Sequence, residues 1–332
     1  MKTVARNPKM EALIGEGTMR EIDRRIPDAL RLAFGIPRRS SSPPATGQHD
    51  EIAALAAALL PPRAPGDVDV DDPMDCDDDG AAAPPPGDLR LVFESRYLPD
   101  HNEDAHFGHA AAGVVGVADG VGGYRGKVAD AAAFARGLMH SAHEEVALAA
   151  PGTRVCPHTL LDRAYQRTAA SRTPAASTAT ILSLAGRALR WAYVGDSGFA
   201  VFRGGALLLR SQPQQVFFNC PYQLNAEAGG FTAAHAAAGE VPAMDGDVVV
   251  VGTDGLFDNV SDDELERMVR MGTALGFTPR NMAEVIAAFA YEASRCPDRD
   301  TPYSVASRKE EGTTYVGGKP DDITVVVAFV VS

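Results

Sequence analysis

Cysteine is scarce and scattered in this chain: Cys76, Cys156, Cys220 and Cys296 are spread over 332 residues with no C-x-x-C pair. Such spacing offers neither a disulfide framework nor a sulfur-rich metal site, and it points to reduced thiols inside a cell. Long apolar runs are also missing, since none approaches the roughly 18 to 20 residues of a membrane-spanning helix. The N-terminus has no signal-peptide core, and Glu11, Glu16, Glu21 and Asp23 among its basic residues weaken a transit-peptide reading without removing it. Basic side chains are the minority, 31 against 44 acidic ones, for a net charge of -13. That argues against a nucleic-acid or anionic-membrane surface, which would want a basic patch. What remains is ordinary for a globular protein, because a hydrophobic content of 45% is enough for a sizeable core.

The length suggests one large domain or about two. Residues 1–87 differ from the rest. Thr18-Met19-Arg20-Glu21 is a capping-box pattern before an amphipathic stretch that reaches Phe34, with Pro27 as a breaker. Glu51 to Leu60 is a second helix candidate, and Asp67 to Gly80 followed by Ala81 to Pro86 is rich in Asp, Ala and Pro. Such a composition builds no core, so residues 1–87 read as a largely disordered extension with short helices. The Asp67-Val68-Asp69-Val70-Asp71 run lacks the glycine and the distal glutamate of a calcium loop and reads as an acidic linker.

From residue 88 to 332 the pattern is regular. Strands are expected at Leu89–Ser95, Gly113–Ala118, Ser177–Leu184, Leu189–Val194, Phe199–Arg203, Ala206–Arg210, Asp247–Val251 and Ile323–Val331. Helices are expected at Lys127–Ala150, His158–Ala170, Asp262–Met271 and Pro279–Arg295. Gly204-Gly205 is a two-residue hairpin signal. Hairpins, and helices that come in pairs between blocks of strands, favour an α+β sandwich over a parallel βαβ fold.

Four short stretches carry the chemistry: Val117-Ala118-Asp119-Gly120-Val121-Gly122-Gly123, Val194-Gly195-Asp196-Ser197-Gly198, Gly252-Thr253-Asp254-Gly255-Leu256-Phe257-Asp258 and Lys319-Pro320-Asp321-Asp322-Ile323-Thr324. In the first three an aspartate ends an apolar run beside a glycine, and in the fourth an aspartate pair opens one. A buried carboxylate is costly unless it is paired or binds a metal. Asp-Gly is also an ordinary turn dipeptide, an account that suffices for one such site and is strained by four. Together they suggest one oxygen-rich site for a hard divalent cation such as Mg²⁺ or Mn²⁺, with Asp119, Asp254 and Asp321 as the leading ligand candidates. The glycines after Asp119 and Asp254 would admit a main-chain carbonyl or a phosphate.

With Asn102-Glu103-Asp104 and Ser177-Thr178-Ala179-Thr180 added, the ordered motifs resemble those of the PP2C family of metal-dependent serine/threonine phosphatases, across essentially all of residues 89–332. Arg203-Gly204-Gly205, Gln214 to Asn219 and Gly317-Gly318-Lys319-Pro320-Asp321-Asp322 resemble the branch that contains the mitochondrial T-cell-activation phosphatase and its plant relatives. The resemblance implies a four-layer αββα sandwich with two central antiparallel sheets and two Mg²⁺ or Mn²⁺ ions in a cleft at one end. It implies that Asp119 bridges the ions, Gly120 offers its carbonyl, Asp254 and Asp321 complete the direct ligands, and Glu103 and Asp104 act through metal-bound waters. Asp196 and Asp258 match residues that form a weaker third site in many members. The activity implied is hydrolysis of phosphoserine and phosphothreonine in phosphoproteins by a metal-bridging hydroxide, in a monomeric catalytic domain. The location expected from the scattered cysteines and the N-terminus is intracellular, with cytoplasm or nucleus ahead of chloroplast or mitochondrion, although the resembled branch includes organellar members.

Two departures stand out. Many members carry histidine, a proposed general acid, where this chain has Val121, and the family's phosphate-binding arginine position is Pro99. Arg96 is the nearest substitute, with a plain solvated arginine as the other reading. His101, His106 and His109 lie near Glu103-Asp104, where a surface or packing role is the plainer reading. Among rivals, a cysteine phosphatase needs Cys-x5-Arg, and Cys156, Cys220 and Cys296 have no arginine at that spacing. The glycines from Gly120 to Gly126 miss the dinucleotide-binding spacing by one residue. A pseudophosphatase that binds phosphoproteins without turnover would be favoured by loss of Asp119 or Asp254, and both are present.

Overall fold

Period-two alternation in the strands sorts the apolar side chains into two interiors. The computed structural model describes residues 89–122, 130–150, 152–227 and 229–332. The expected helices and linker of residues 1–87, and the first residues of the helix expected from Lys127, lie outside the described residues. In chain order the main elements are β1 (Arg90–Leu98), β2 (Ala105–His109), β3 (Val114–Ala118), α1 (Ala133–Leu148), α2 (Pro157–Ala170), β4 (Ala179–Ala185), β5 (Ala188–Val194), β6 (Gly198–Arg203) and β7 (Ala206–Arg210). Then follow β8 (Ala237–Pro242), β9 (Val248–Gly252), α3 (Asp254–Phe257), α4 (Asp262–Ala274), α5 (Pro279–Ser294), α6 (Pro302–Glu311) and β10 (Ile323–Val331).

One sheet has the order β1-β10-β9-β6-β7 and the other β8-β5-β4-β3-β2. Every pairing in them is antiparallel. Val115 and Val117 of β3 meet Phe199, Val201, Val249, Val251 and Val326 in the interior between the sheets. Their neighbours Val114 and Ala118 point the other way, into a second interior with Phe134 and Leu138 of α1 and Leu161 of α2. On the far side α5 packs across β1 and β10. Both faces of β9 and β10 are therefore covered, which is why they read as unbroken apolar runs rather than alternating ones. The result is the expected α+β sandwich of four layers, helices on sheet on sheet on helices.

The Gly204-Gly205 hairpin forms as expected, with φ of +59° and +79°. Just before helix α1, Asp130 accepts from the amides of Ala132 and Ala133, the first through its carboxylate at 3.0 Å and the second through its carbonyl at 3.3 Å. Two elements lack the expected periodicity. Strand β8 is a mostly exposed edge, and α6 buries only Ser304 and Ser307. The start of α6 is nonetheless written in sequence, with Thr301 as N-cap and Pro302 in the first turn.

Candidate metal centre

The two central sheets end together at one rim, and the aspartates stand there. Asp119 follows β3, Asp196 follows β5, Asp254 follows β9, and Asp321-Asp322 precedes β10. Carboxylate oxygens of Asp119, Asp196 and Asp254 all lie within 4.8 Å of one another. Asp196 thus lies with Asp119 and Asp254, and the charge of Asp258 also acts on it. Buried hydroxyls hold this rim in place. Thr178 donates its amide to the Asp119 carbonyl at 2.9 Å and accepts from the Asp119 amide at 3.2 Å, and its hydroxyl meets that of Ser197 at 2.6 Å. Ser177 donates to the same Asp119 carbonyl at 2.9 Å, so the Ser177-Thr178-Ala179-Thr180 motif is scaffolding for the carboxylates. Gln214 accepts from the Gly195 amide at 3.1 Å and Gln215 donates to Asp196 Oδ2 at 3.2 Å, which pins the second turn.

Backbone packing by itself requires two of the glycines. An added Cβ on Gly120 would fall 2.7 Å from the Glu103 carbonyl oxygen, and one on Gly255 would fall 2.0 Å from that of Asp322. Their missing side chains make room for neighbouring backbone. The amide of Gly120 donates to the Glu103 carbonyl at 3.2 Å, tying the first motif to the Glu103-Asp104 segment. Asp104 Oδ2 accepts from Thr253 at 2.8 Å and from Thr324 at 2.7 Å.

The paired aspartates of the last motif divide their labour. Asp322 is buried, and its carboxylate accepts from the amides of Asp100, His101, Asn102 and Glu103 at 2.5, 2.8, 3.0 and 2.6 Å. Asn102 takes a left-handed φ of +63°, so that successive amides converge on one anion. Asp321 is not among the three carboxylates within 4.8 Å of one another; it faces Lys319, whose Nζ is 3.6 Å from its Oδ2, and His101, whose Nδ1 is 3.6 Å from its Oδ1. Lys319 Nζ also meets Asp254 Oδ2 at 2.5 Å and Asp258 Oδ2 at 2.7 Å. Neither the lysine nor the amide nest carries a sequence signal of its own.

The remaining candidates separate. Arg96 lies on β1 opposite Val325, and alternation turns it away from the face of Tyr97, which bonds Asn102 at 3.4 Å. His109 caps a short 3₁₀ turn by accepting from the Ala112 amide at 3.2 Å, and His106 bonds Ser95 at 3.1 Å, both packing roles. His101 is the exception, since it stands beside Asp321.

No protein-family model matches the chain. A protein of Oryza sativa subsp. japonica, numbered 24 in the protein phosphatase 2C nomenclature, is 52% identical over 316 residues, covering 95% of this chain and 97% of its own. The chain belongs to the protein phosphatase 2C family. From Arabidopsis thaliana, "Probable protein phosphatase 2C 55" is 38% identical over 248 residues, or 73% of this chain and 52% of that one. The X-ray structure of the photosystem II phosphatase PBCP matches with a TM-score of 0.63 at 32% identity, over 72% of this chain and 98% of that one. The catalytic domain of the phosphatase PstP, solved with 2 manganese ions, shares the fold with a TM-score of 0.50 at 20% identity, over 74% of this chain and 100% of that one. Family membership makes the chain a protein serine/threonine phosphatase and a metal-binding hydrolase.

The donor set of this family member fits a hard divalent ion. It is all oxygen, and Asp104 Oδ1 and Asp196 Oδ1 are buried with no hydrogen-bond partner among the described residues. Without a cation these groups resist ionisation. Burial, then the Asp322 charge, pushes Asp104 up to about 8, and burial with Asp258 pushes Asp196 up to about 6. Burial, followed by the neighbouring carboxylates, raises Asp119 well above its ordinary value. Burial also raises Asp254, against the opposing charge of Lys319. For Asp321, burial alone acts upward, but His101 and Lys319 outweigh it and hold the group low.

A pH dependence of stability follows. Folded-state values above the unfolded ones mean that the folded chain holds more protons. The contribution of Asp104 and Asp196 is thus complete below about pH 4 and is lost as pH climbs through their folded values, about 6 for Asp196 and about 8 for Asp104. Each extra proton costs about 1.4 kcal/mol per pH unit across that window. The EDTA-treated chain should melt at a lower temperature at pH 8 than at pH 5, and saturating Mn²⁺ should flatten or reverse the slope. Melting points that do not change with pH in EDTA would contradict the raised carboxylates.

Proposed function

We propose that the chain hydrolyses phosphoserine and phosphothreonine in protein substrates with two Mg²⁺ or Mn²⁺ ions. Asp119 would be shared between them, with the Gly120 carbonyl, Asp254 and Asp321 as further direct ligands and Glu103 and Asp104 acting through water. The observation that carries this reading is the convergence of Asp119, Asp196 and Asp254 within 4.8 Å at the ends of separate strands. When bound, the ions would activate a water for in-line attack and stabilise charge on the phosphoryl oxygens. The protein's own part is positioning. Thr253 and Thr324 orient Asp104, Thr178 and Ser177 fix the backbone of Asp119, and Asp322 gathers the loop that delivers Glu103. Val121 has no proton to give a leaving alkoxide, and His101 is the imidazole that stands beside the cluster.

Phosphate release from a phosphopeptide by the purified chain tests the reading. EDTA should abolish release and added Mn²⁺ should restore it. Equal rates with and without EDTA would sink the metal mechanism. Mn²⁺ binding without release would favour a pseudophosphatase, a reading that the presence of both Asp119 and Asp254 at the cluster argues against.

A further inference from the structure

Among the described residues, a lysine of the chain stands amid the carboxylates. Lys319 Nζ lies 2.5 Å from Asp254 Oδ2, 2.7 Å from Asp258 Oδ2 and 3.6 Å from Asp321 Oδ2. Its backbone is clamped on both sides by one buried carboxamide. The Lys319 amide donates to Asn259 Oδ1 at 2.8 Å, and its carbonyl accepts from Asn259 Nδ2 at 2.9 Å. Asn259 is fully buried and also bonds the Gly255 carbonyl at 2.9 Å, so the clamp is tied to the Asp254-Gly255 motif itself. Upstream, the loop lies so close to the end of α5 that a Cβ on Gly318 would fall 2.1 Å from the Ala293 carbonyl oxygen. The ring of Tyr303 flanks the ammonium at 5.4 Å. The point from which the side chain departs is therefore set by the fold, independently of what the carboxylates hold.

We propose that Lys319 is a tethered counter-ion that takes the place of an auxiliary third ion, so that the wild-type chain binds two divalent ions and Asp258 serves the lysine. The inference rests on reading the cluster as a divalent-ion site. A third ion held by Asp258 and Asp254 would sit roughly 2.1 Å from its oxygens, and these are the oxygens that Nζ contacts at 2.5 and 2.7 Å. Two cations cannot share that space. Asp196, the other residue matched to the auxiliary site, has a carboxylate oxygen within 4.8 Å of those of Asp119 and Asp254.

Two measurements on the full chain test this, using wild type, Lys319→Met and Lys319→Arg. At pH 8 in EDTA, Lys319→Met should lower the melting midpoint by at least about 2–4 °C, because the carboxylates lose their internal cation, and Lys319→Arg should restore most of the loss. In calorimetric titration with Mn²⁺, the wild type should take two ions and Lys319→Met three. If Lys319→Met does not fold without metal, Lys319→Gln titrated from a low starting Mn²⁺ concentration gives the count. Three ions on the wild type, or a Lys319→Met chain with unchanged midpoint and count, overturns the proposal. A wild-type chain that binds no Mn²⁺ sinks the metal reading of the site, and the midpoint in EDTA then still decides whether the lysine is its counter-ion.

Discussion

Asp119→Ala should eliminate metal-dependent phosphate release while leaving the chain folded. Outer-shell partners of a metal are typically worth about 10–100-fold in affinity or activity, and a ligand shared by two ions should cost more than that. The fold should survive because Asp119 is held by its backbone, through the amide and hydroxyl of Thr178 and the hydroxyl of Ser177. None of those bonds uses the carboxylate. Burial and the charges of Asp254, Asp104, Asp321 and Asp196 oppose its ionisation, so its removal relieves repulsion in the metal-free state. The melting midpoint in EDTA should hold or rise, while the gain from added Mn²⁺ should shrink. Activity within tenfold of wild type would refute the bridging assignment. A collapse of the midpoint would mean that the carboxylate is structural.

How much of this was legible in sequence follows from the physics of each part. The central strands were readable because burial on both faces writes itself as apolar runs such as Val248–Gly252 and Ile323–Val331. Strand β8 and helix α6 were missed because one is an exposed edge and the other buries serines, so neither has an apolar period. The strand-end aspartates were readable because an acidic residue beside an apolar run needs an explanation. Their glycines were readable as close approaches, but not what approaches, since the Glu103 and Asp322 carbonyls come from distant segments. Lys319 belongs to the Gly317 to Asp322 motif, whose sequence gives it no role of its own. Its meaning depends on a side chain reaching Asp254 and Asp258, 65 and 61 positions away, and local spacing does not encode that. Adjacent residues with the same side chain, Asp321 and Asp322, are the sharpest case.

Those neighbours should respond in opposite ways. Asp322→Ala removes the acceptor of four backbone amides at 2.5 to 3.0 Å, one of them fully buried with its bond to Glu103. A buried donor left unsatisfied costs about 1–3 kcal/mol, and more where the lost partner was charged. Water can reach part of the loop, since Asp100 and Asn102 are exposed, so the loss should be several kcal/mol rather than the full sum. Against a typical total of about 5–15 kcal/mol, that is a large fraction, and the midpoint should fall by about 10 °C or more at roughly 2–4 °C per kcal/mol. Asp322→Asn keeps one acceptor oxygen and should fall between the two. Asp321→Ala should lower the midpoint in EDTA far less than Asp322→Ala, since its carboxylate accepts one backbone bond, from Asp322 at 3.0 Å, and otherwise faces only His101 and Lys319, whose charges hold it low. It should instead weaken Mn²⁺ binding directly, whereas Asp322→Ala weakens it only as far as the loop carrying Glu103 and Asp104 is released. Melting in EDTA combined with Mn²⁺ titration separates the two residues, and a chain stabilised by Asp321 but indifferent to Asp322 would reverse their assigned roles.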